Sequence, residues 1–249
     1  MEEEQRDFFP FLTLPSELRN KIYSLVFALD PRVAPQVLDL DPAIFRLLQK
    51  QKMLALFGVC RQTHLEASHR FFSTHTFRLF PTEPRYFSTK RPLLARLPPS
   101  YRSSITSLEL RLGPGWNAPP AGWAVNDALG LKDCINVRVL KVFVEVDPSD
   151  AFFKGFRRGD GFYVRFSQDL LENVLKEVPS IRVVEFDAWR SVKRTGGMIR
   201  GLGEVVSRFG KIVAWGPEGG WDEDHDKLWL DEVLIHGAGR LGKSVAILS

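Results

Sequence analysis

VRVLKVFVEV, residues Val137–Val146, is a valine-rich run with the texture of a buried strand. Two other stretches share it: ITSLELRL over Ile105–Leu112 and IRVVEFDAW over Ile181–Trp189. Between the first two, WAVNDALGLKDC (Trp123–Cys134) is expected as a helix. Downstream, FYVRFSQDLLENVLKEV (Phe162–Val178) gathers Phe166, Leu170, Leu171, Val174, Leu175 and Val178 on one helical face. MIRGLGEVVSRF (Met198–Phe209) then predicts another helix, and KIVAWG (Lys211–Gly216) a short last strand. A crossover helix is what joins parallel neighbours, so this alternation predicts mostly parallel pairing in an α/β (α+β overall) chain.

The strand starts fall roughly thirty to forty residues apart. Such spacing suits either a short, irregular, leucine-rich-repeat-like array of stacked units or a small three-layer sheet.

Towards the N-terminus the period becomes helical. In FLTLPSELRNKIYSLVF (Phe11–Phe27), Ser16 follows Pro15 at a helix start. Leu18, Ile22, Leu25, Val26 and Leu29 then form an apolar stripe expected to be buried, opposite Glu17, Arg19, Asn20, Lys21 and Ser24. The partner helix is VCRQTHLEASHRFF (Val59–Phe72). There Leu56, Val59, Cys60, Ala67 and Phe71 are expected on the shared face, with Arg61, Gln62, Glu66 and Arg70 in water. Asp30–Asp41, carrying Pro31 and Pro35, is expected as a connector, Pro42 as the start of a helix leading to Phe57, and Thr74–Phe80 as a strand.

Leu14-Pro15, Glu17-Leu18-Arg19, Ile22, Leu25 and Val26, followed by Val59-Cys60-Arg61, resemble the F-box and the fungal F-box-like proteins over about the first third of the chain. The resemblance implies a compact helical unit that docks on the Skp adaptor of cullin–RING ubiquitin ligases, leaving the rest of the chain to hold a protein substrate. It assigns Leu14, Pro15, Leu18, Ile22 and Val26 to docking or core-forming positions. Two departures stand out: His64 or a neighbour replaces the tryptophan that often follows the VCR element, and Asp30–Asp41 has the look of an insertion. A leucine-proline start with an apolar stripe is also what a purely structural helix needs. A scaffold with a degenerate F-box-like unit is therefore the alternative. Leucine-rich repeats are frequent in this family, which favours the repeat-like reading by resemblance.

The 249 residues, 44% of them hydrophobic, suffice for one or two ordinary cores. The expected organisation is a helical unit with a closing strand over 1–80, a basic Pro-containing linker over 81–104, an α/β repeat-like domain over 105–235 and a Gly-rich flexible tail over 236–249. A net charge of +4 is far from the concentrated field of a dedicated nucleic-acid binder. Cys60 and Cys134 are too few for a disulfide framework, and the opening MEEEQRD is acidic where a signal peptide or presequence would be basic. With no apolar run long enough for a bilayer, the expected location is cytoplasm or nucleus, away from membrane.

The sharpest enzymatic motif is Gly237 to Ser244, in which Gly237, Gly242, Lys243 and Ser244 satisfy GxxxxGK[ST]. Only Val245–Ser249 follow, about one turn where a phosphate-receiving helix is needed, so a P-loop nucleotide site is the less favoured reading. Cys60 and His64 stand at i and i+4 but lack further ligands, and His225 sits in a solvated acidic stretch, Asp222–Leu234, expected as a terminal helix. No nucleophile elbow is present. The expectation is a protein with no enzymatic activity, metal or cofactor. Two basic, aromatic-interleaved segments, Arg85–Arg111 and Lys154–Arg165, suit solvated loops better than a nucleic-acid groove. Trp189 and Trp215, at strand C-termini, are the speculative substrate-binding residues.

Overall fold

The computed structural model describes residues 9–28, 37–39, 52–83, 91–113, 122–151 and 161–221, together with positions 46, 48, 50, 86, 120, 154 and 159. Its strands are β1 (Val37–Leu38), β2 (Thr76–Arg78), β3 (Ser107–Leu112), β4 (Val139–Val144), β5 (Val183–Ala188) and β6 (Ile212–Trp215). They form one sheet in the order β1-β2-β3-β4-β5-β6, and every pair is parallel. The chain is thus mixed α/β around a six-stranded parallel sheet, and that sheet includes β1 and β2 from ahead of residues 81–104.

The register explains the shared texture of the three long strands. Leu108, Leu140 and Val184 stand side by side, as do Leu110, Val142 and Phe186, and then Leu112, Val144 and Ala188. All nine are fully buried. Removing a large aliphatic or aromatic side chain of this kind from water is worth about 2 kcal/mol, and the register brings these side chains together on one face. The α-helices whose bounds fall among the described residues are α1 (Ser16–Val26), α2 (Arg61–Thr74), the single turns α3 (Leu93–Arg96) and α4 (Pro99–Arg102), α5 (Phe162–Glu177) and α6 (Gly197–Arg208). Leu170, Leu171, Val174 and Leu175 of α5 and Ile199, Leu202, Val205 and Val206 of α6 complete the same core. Right-handed crossovers joining strands laid down in chain order all fall on one face of the sheet, so these apolar residues share one side.

Asp147, just beyond β4, holds the start of α6. Its Oδ2 accepts from the Met198 amide at 3.2 Å and its Oδ1 from the Ser149 amide and hydroxyl at 2.8 and 2.5 Å.

Several expectations are corrected. Trp123–Cys134 is not an α-helix: two 3-10 turns, Asp127–Leu129 and Leu131–Asp133, are separated by Gly130 at φ 74°. A left-handed residue cannot continue a right-handed helix, and it buries Leu129, Leu131 and Cys134 through turns instead. The strand expected from Thr74 is only three residues long, because Thr74 still belongs to α2. β1 lies in the expected Asp30–Asp41 connector. Most of that connector, the first residues of the helix expected at Pro42, the acidic helix Asp222–Leu234 and the whole of Gly237–Ser244 lie outside the described residues, and the far end of the helix expected at Pro42 is a separate 3-10 helix, Met53–Gly58, entered through Lys52 at φ 50°. No helix among the described residues is long and apolar enough to cross a membrane.

Candidate partner-docking surface

The α1–α2 pair is assembled around one ion pair. Arg19 Nε donates to Glu66 Oε2 at 2.8 Å and Nη2 to Oε1 at 2.6 Å, while Nη1 serves the carbonyls of Leu12 and Leu14. Glu66 also accepts from the Tyr23 hydroxyl at 3.1 Å and from Gln62 at 3.0 Å. These donors, Arg19 foremost, hold the Glu66 carboxyl down to about 2. Tyr23 and Phe27 are fully buried, with Phe11 edge-on to Tyr23 at 5.7 Å and Phe71 edge-on to Phe27 at 5.3 Å. At the far end the buried His75 ring bridges the helix C-termini, Nδ1 lying 2.9 Å from Phe71 O and Nε2 3.1 Å from Phe27 O.

The inward face of α1 is therefore Arg19, Tyr23 and Phe27, which overturns the expectation that the aliphatic stripe is buried. Each inward residue follows a stripe residue by one position, a rotation of about 100° around the axis. Leu18 is 51% exposed, Ile22 37%, Leu25 67% and Val26 41%. Pro15 is exposed and Leu14 half-buried. The α2 side is corrected in the same sense: Val59 and Cys60 are in water, and Glu66 is engaged by Arg19. Thr63, Ala67, Ser68, Phe71 and Phe72 form its buried face. Phe9, Leu12, Val59 and Leu65 are further exposed apolar residues of this N-terminal region that sequence reasoning missed. Helical periodicity marks a stripe and is silent about which way it turns.

The sheet face opposite the crossovers carries a second feature. In register across it run Arg78, Glu109, Lys141 and Glu185, alternating in charge. Arg78 donates to Glu109 Oε1 at 2.8 Å and to Asp39 Oδ2 at 3.0 Å, and Lys141 lies 3.3 Å from Glu185. Beside this row Arg111 sits over the Phe143 ring at 4.3 Å. The signal was present as a charged residue at the centre of FRL, LEL, LKV and VEF, legible only once the strands are aligned.

Trp189 is 55% exposed just beyond β5, whereas Trp215 is half-buried against Phe186 and Trp221, with Arg194 stacked on it at 3.9 Å. The two tryptophans, expected to line one surface, occupy different environments. Cys60 Sγ accepts from the Thr63 amide at 3.4 Å as the α2 cap, and His64 lies between Phe57 O and the Tyr101 hydroxyl, so the two do not form a ligand pair. Among the described residues no three His, Cys, Asp or Glu side chains come together as a metal site. In the basic segment Arg102 binds Asp133 and the Leu97 carbonyl, and Tyr101 stacks on Phe72 at 4.5 Å.

Fold and surface together describe a parallel α/β body with an uncovered apolar helix face. Comparison of the chain with protein-family models, with curated proteins and with solved structures finds no match.

Proposed function

We propose that this chain is a non-enzymatic protein-interaction module whose α1–α2 unit docks, in the manner of an F-box, on the Skp adaptor of a cullin–RING ubiquitin ligase. One observation carries the reading: Leu18, Ile22, Leu25 and Val26 face solvent while Arg19, Tyr23 and Phe27 build the core. A helix with a sealed inner face and a separate aliphatic stripe has surface left for a partner, and contiguous exposed apolar area of this kind marks interaction sites. The resemblance of Leu14, Pro15, Leu18, Ile22 and Val26 to the F-box supplies the partner's identity. The body would present a protein substrate along a leucine-rich-repeat-like sheet, a role with which strands laid down in chain order agree.

The test is co-purification with the Skp adaptor. Leu18→Ser with Leu25→Ser is expected to abolish association while circular dichroism stays native, and Leu14→Ala with Pro15→Ala to do the same. Retained association in both double variants refutes the docking surface, and failure of the native chain to associate refutes the adaptor.

A further inference from the structure

Strands β4, β5 and β6 are each entered through a cation. Arg138, Arg182 and Lys211 immediately precede Val139, Val183 and Ile212, which are register partners. The ladder reaches back to them, with Arg182 N donating to Arg138 O and Ile212 N to Arg182 O, both at 2.9 Å. Strands lie about 4.8 Å apart, so three like charges stand in a row and repel. Among the described residues no carboxylate forms a salt bridge with any of them. Arg138 donates to the Ile135 and Ser180 carbonyls at 3.1 and 3.5 Å, and Lys211 to the Pro179 carbonyl at 3.0 Å. Those bonds fix the cations in place without neutralising them. Arg182 is exposed and makes no side-chain hydrogen bond among the described residues, so its planar fork of donors is available.

The three cations line a depression of about 540 Å³, together with Ile135, Ser180 and Ile212. Ile135 and Ile212 are 61% and 65% exposed, an apolar rim beside an uncompensated positive floor. Guanidinium forks match phosphate oxygens in geometry, and charge-assisted bonds of this kind are about twice as strong as neutral ones.

We infer that this depression is a phosphate-binding site, taking the phosphomonoester of a phosphorylated peptide whose neighbouring apolar side chain rests on Ile135 and Ile212. The inference goes beyond docking through α1 and does not rest on it, because none of the residues lining the depression belongs to α1 or α2.

The test uses the full chain and a labelled peptide bearing one phosphoserine between leucines, its unphosphorylated twin, and inorganic phosphate as competitor. The phosphopeptide is expected to bind about tenfold or more tightly than the twin, and more weakly as salt rises to about 1 M, where exposed charges are screened. Arg182→Ala, which removes no internal bond, is expected to cost about fivefold or more, and Arg182→Lys to restore part of that loss. Leu18→Ser with Leu25→Ser is expected to bind the phosphopeptide like the native chain, which separates this site from adaptor docking. Inorganic phosphate displacing the peptide at equal concentration would keep the site and name free phosphate as its ligand. Equal affinity for the phosphorylated and unphosphorylated peptides, or unchanged affinity in both Arg182→Ala and Lys211→Gln, would overturn it.

Discussion

Arg19 and Glu66 meet across the α1–α2 seam through two parallel bonds, Nε to Oε2 at 2.8 Å and Nη2 to Oε1 at 2.6 Å. A guanidinium can lie inward only where its charge is answered, and Glu66 answers it with both oxygens. The pair thereby sets the rotation of α1 and decides which side of the helix meets water.

That pair has a pH signature. The Glu66 carboxyl falls from 4.5 to about 2 in the fold, chiefly through Arg19. A depressed carboxylate contributes stability that is full above its unfolded pKa and disappears as pH falls through the folded one. Glu66→Gln is expected to cost about 2 kcal/mol at neutral pH, and its deficit in melting temperature relative to the native chain to shrink from pH 4.5 to about 2. A deficit that stays constant over that range would show the carboxylate to be uninvolved.

The rotation of α1 is tested by stability alone. Phe27→Ala removes a fully buried ring and is expected to cost about 3–5 kcal/mol in urea unfolding. Leu25→Ser, two positions earlier on the exposed stripe, is expected to stay within about 0.5 kcal/mol of native. Reversed magnitudes would put the aliphatic stripe inside.

Arg78 is the keystone of the charged row. With its side chain only 12% exposed between Asp39 and Glu109, Arg78→Leu strands two carboxylates that are themselves nearly buried. A loss of about 3–5 kcal/mol is expected, since uncompensated buried charge is the costly case. Arg78→Lys should recover only part, because one ammonium cannot reproduce the bonds to Asp39, Glu109 and Thr82 together.

The two thiols should react at very different rates. Cys60 is exposed, and its bonds with the Thr63 hydroxyl and amide lower its pKa, whereas burial pushes Cys134 up to about 12. Iodoacetamide at neutral pH is expected to label one cysteine per chain, and Cys60→Ser to abolish that labelling until denaturant is added. Adaptor bound over the α1–α2 face should slow the modification, as Cys60 adjoins the exposed Val59.

The parallel sheet was legible because strand-like apolar runs, SLELRL, VLKVFV and VVEFDA, recur with segments of helical period between the later ones, and a crossover helix joins parallel neighbours. Helices α5 and α6 were legible at the helical period. The Trp123–Cys134 region was misread because Val125 and Leu129 stand four apart, as on a helix, while Gly130 takes a left-handed conformation that no right-handed helix continues through. α1 was misread by treating Arg19 as a water-facing residue, when its carboxylate partner lies 47 positions away. The cationic entries to β4, β5 and β6 left no local motif, because Arg138, Arg182 and Lys211 become neighbours only through pairing.

Strands that follow their chain order in space have a kinetic meaning. Each ladder joins segments that leave the ribosome consecutively, so a new strand always finds its template already made and its apolar side already half covered. Loop closure is then paid in small instalments, contact order stays low for a parallel sheet, and assembly can proceed during synthesis from the amino end outward.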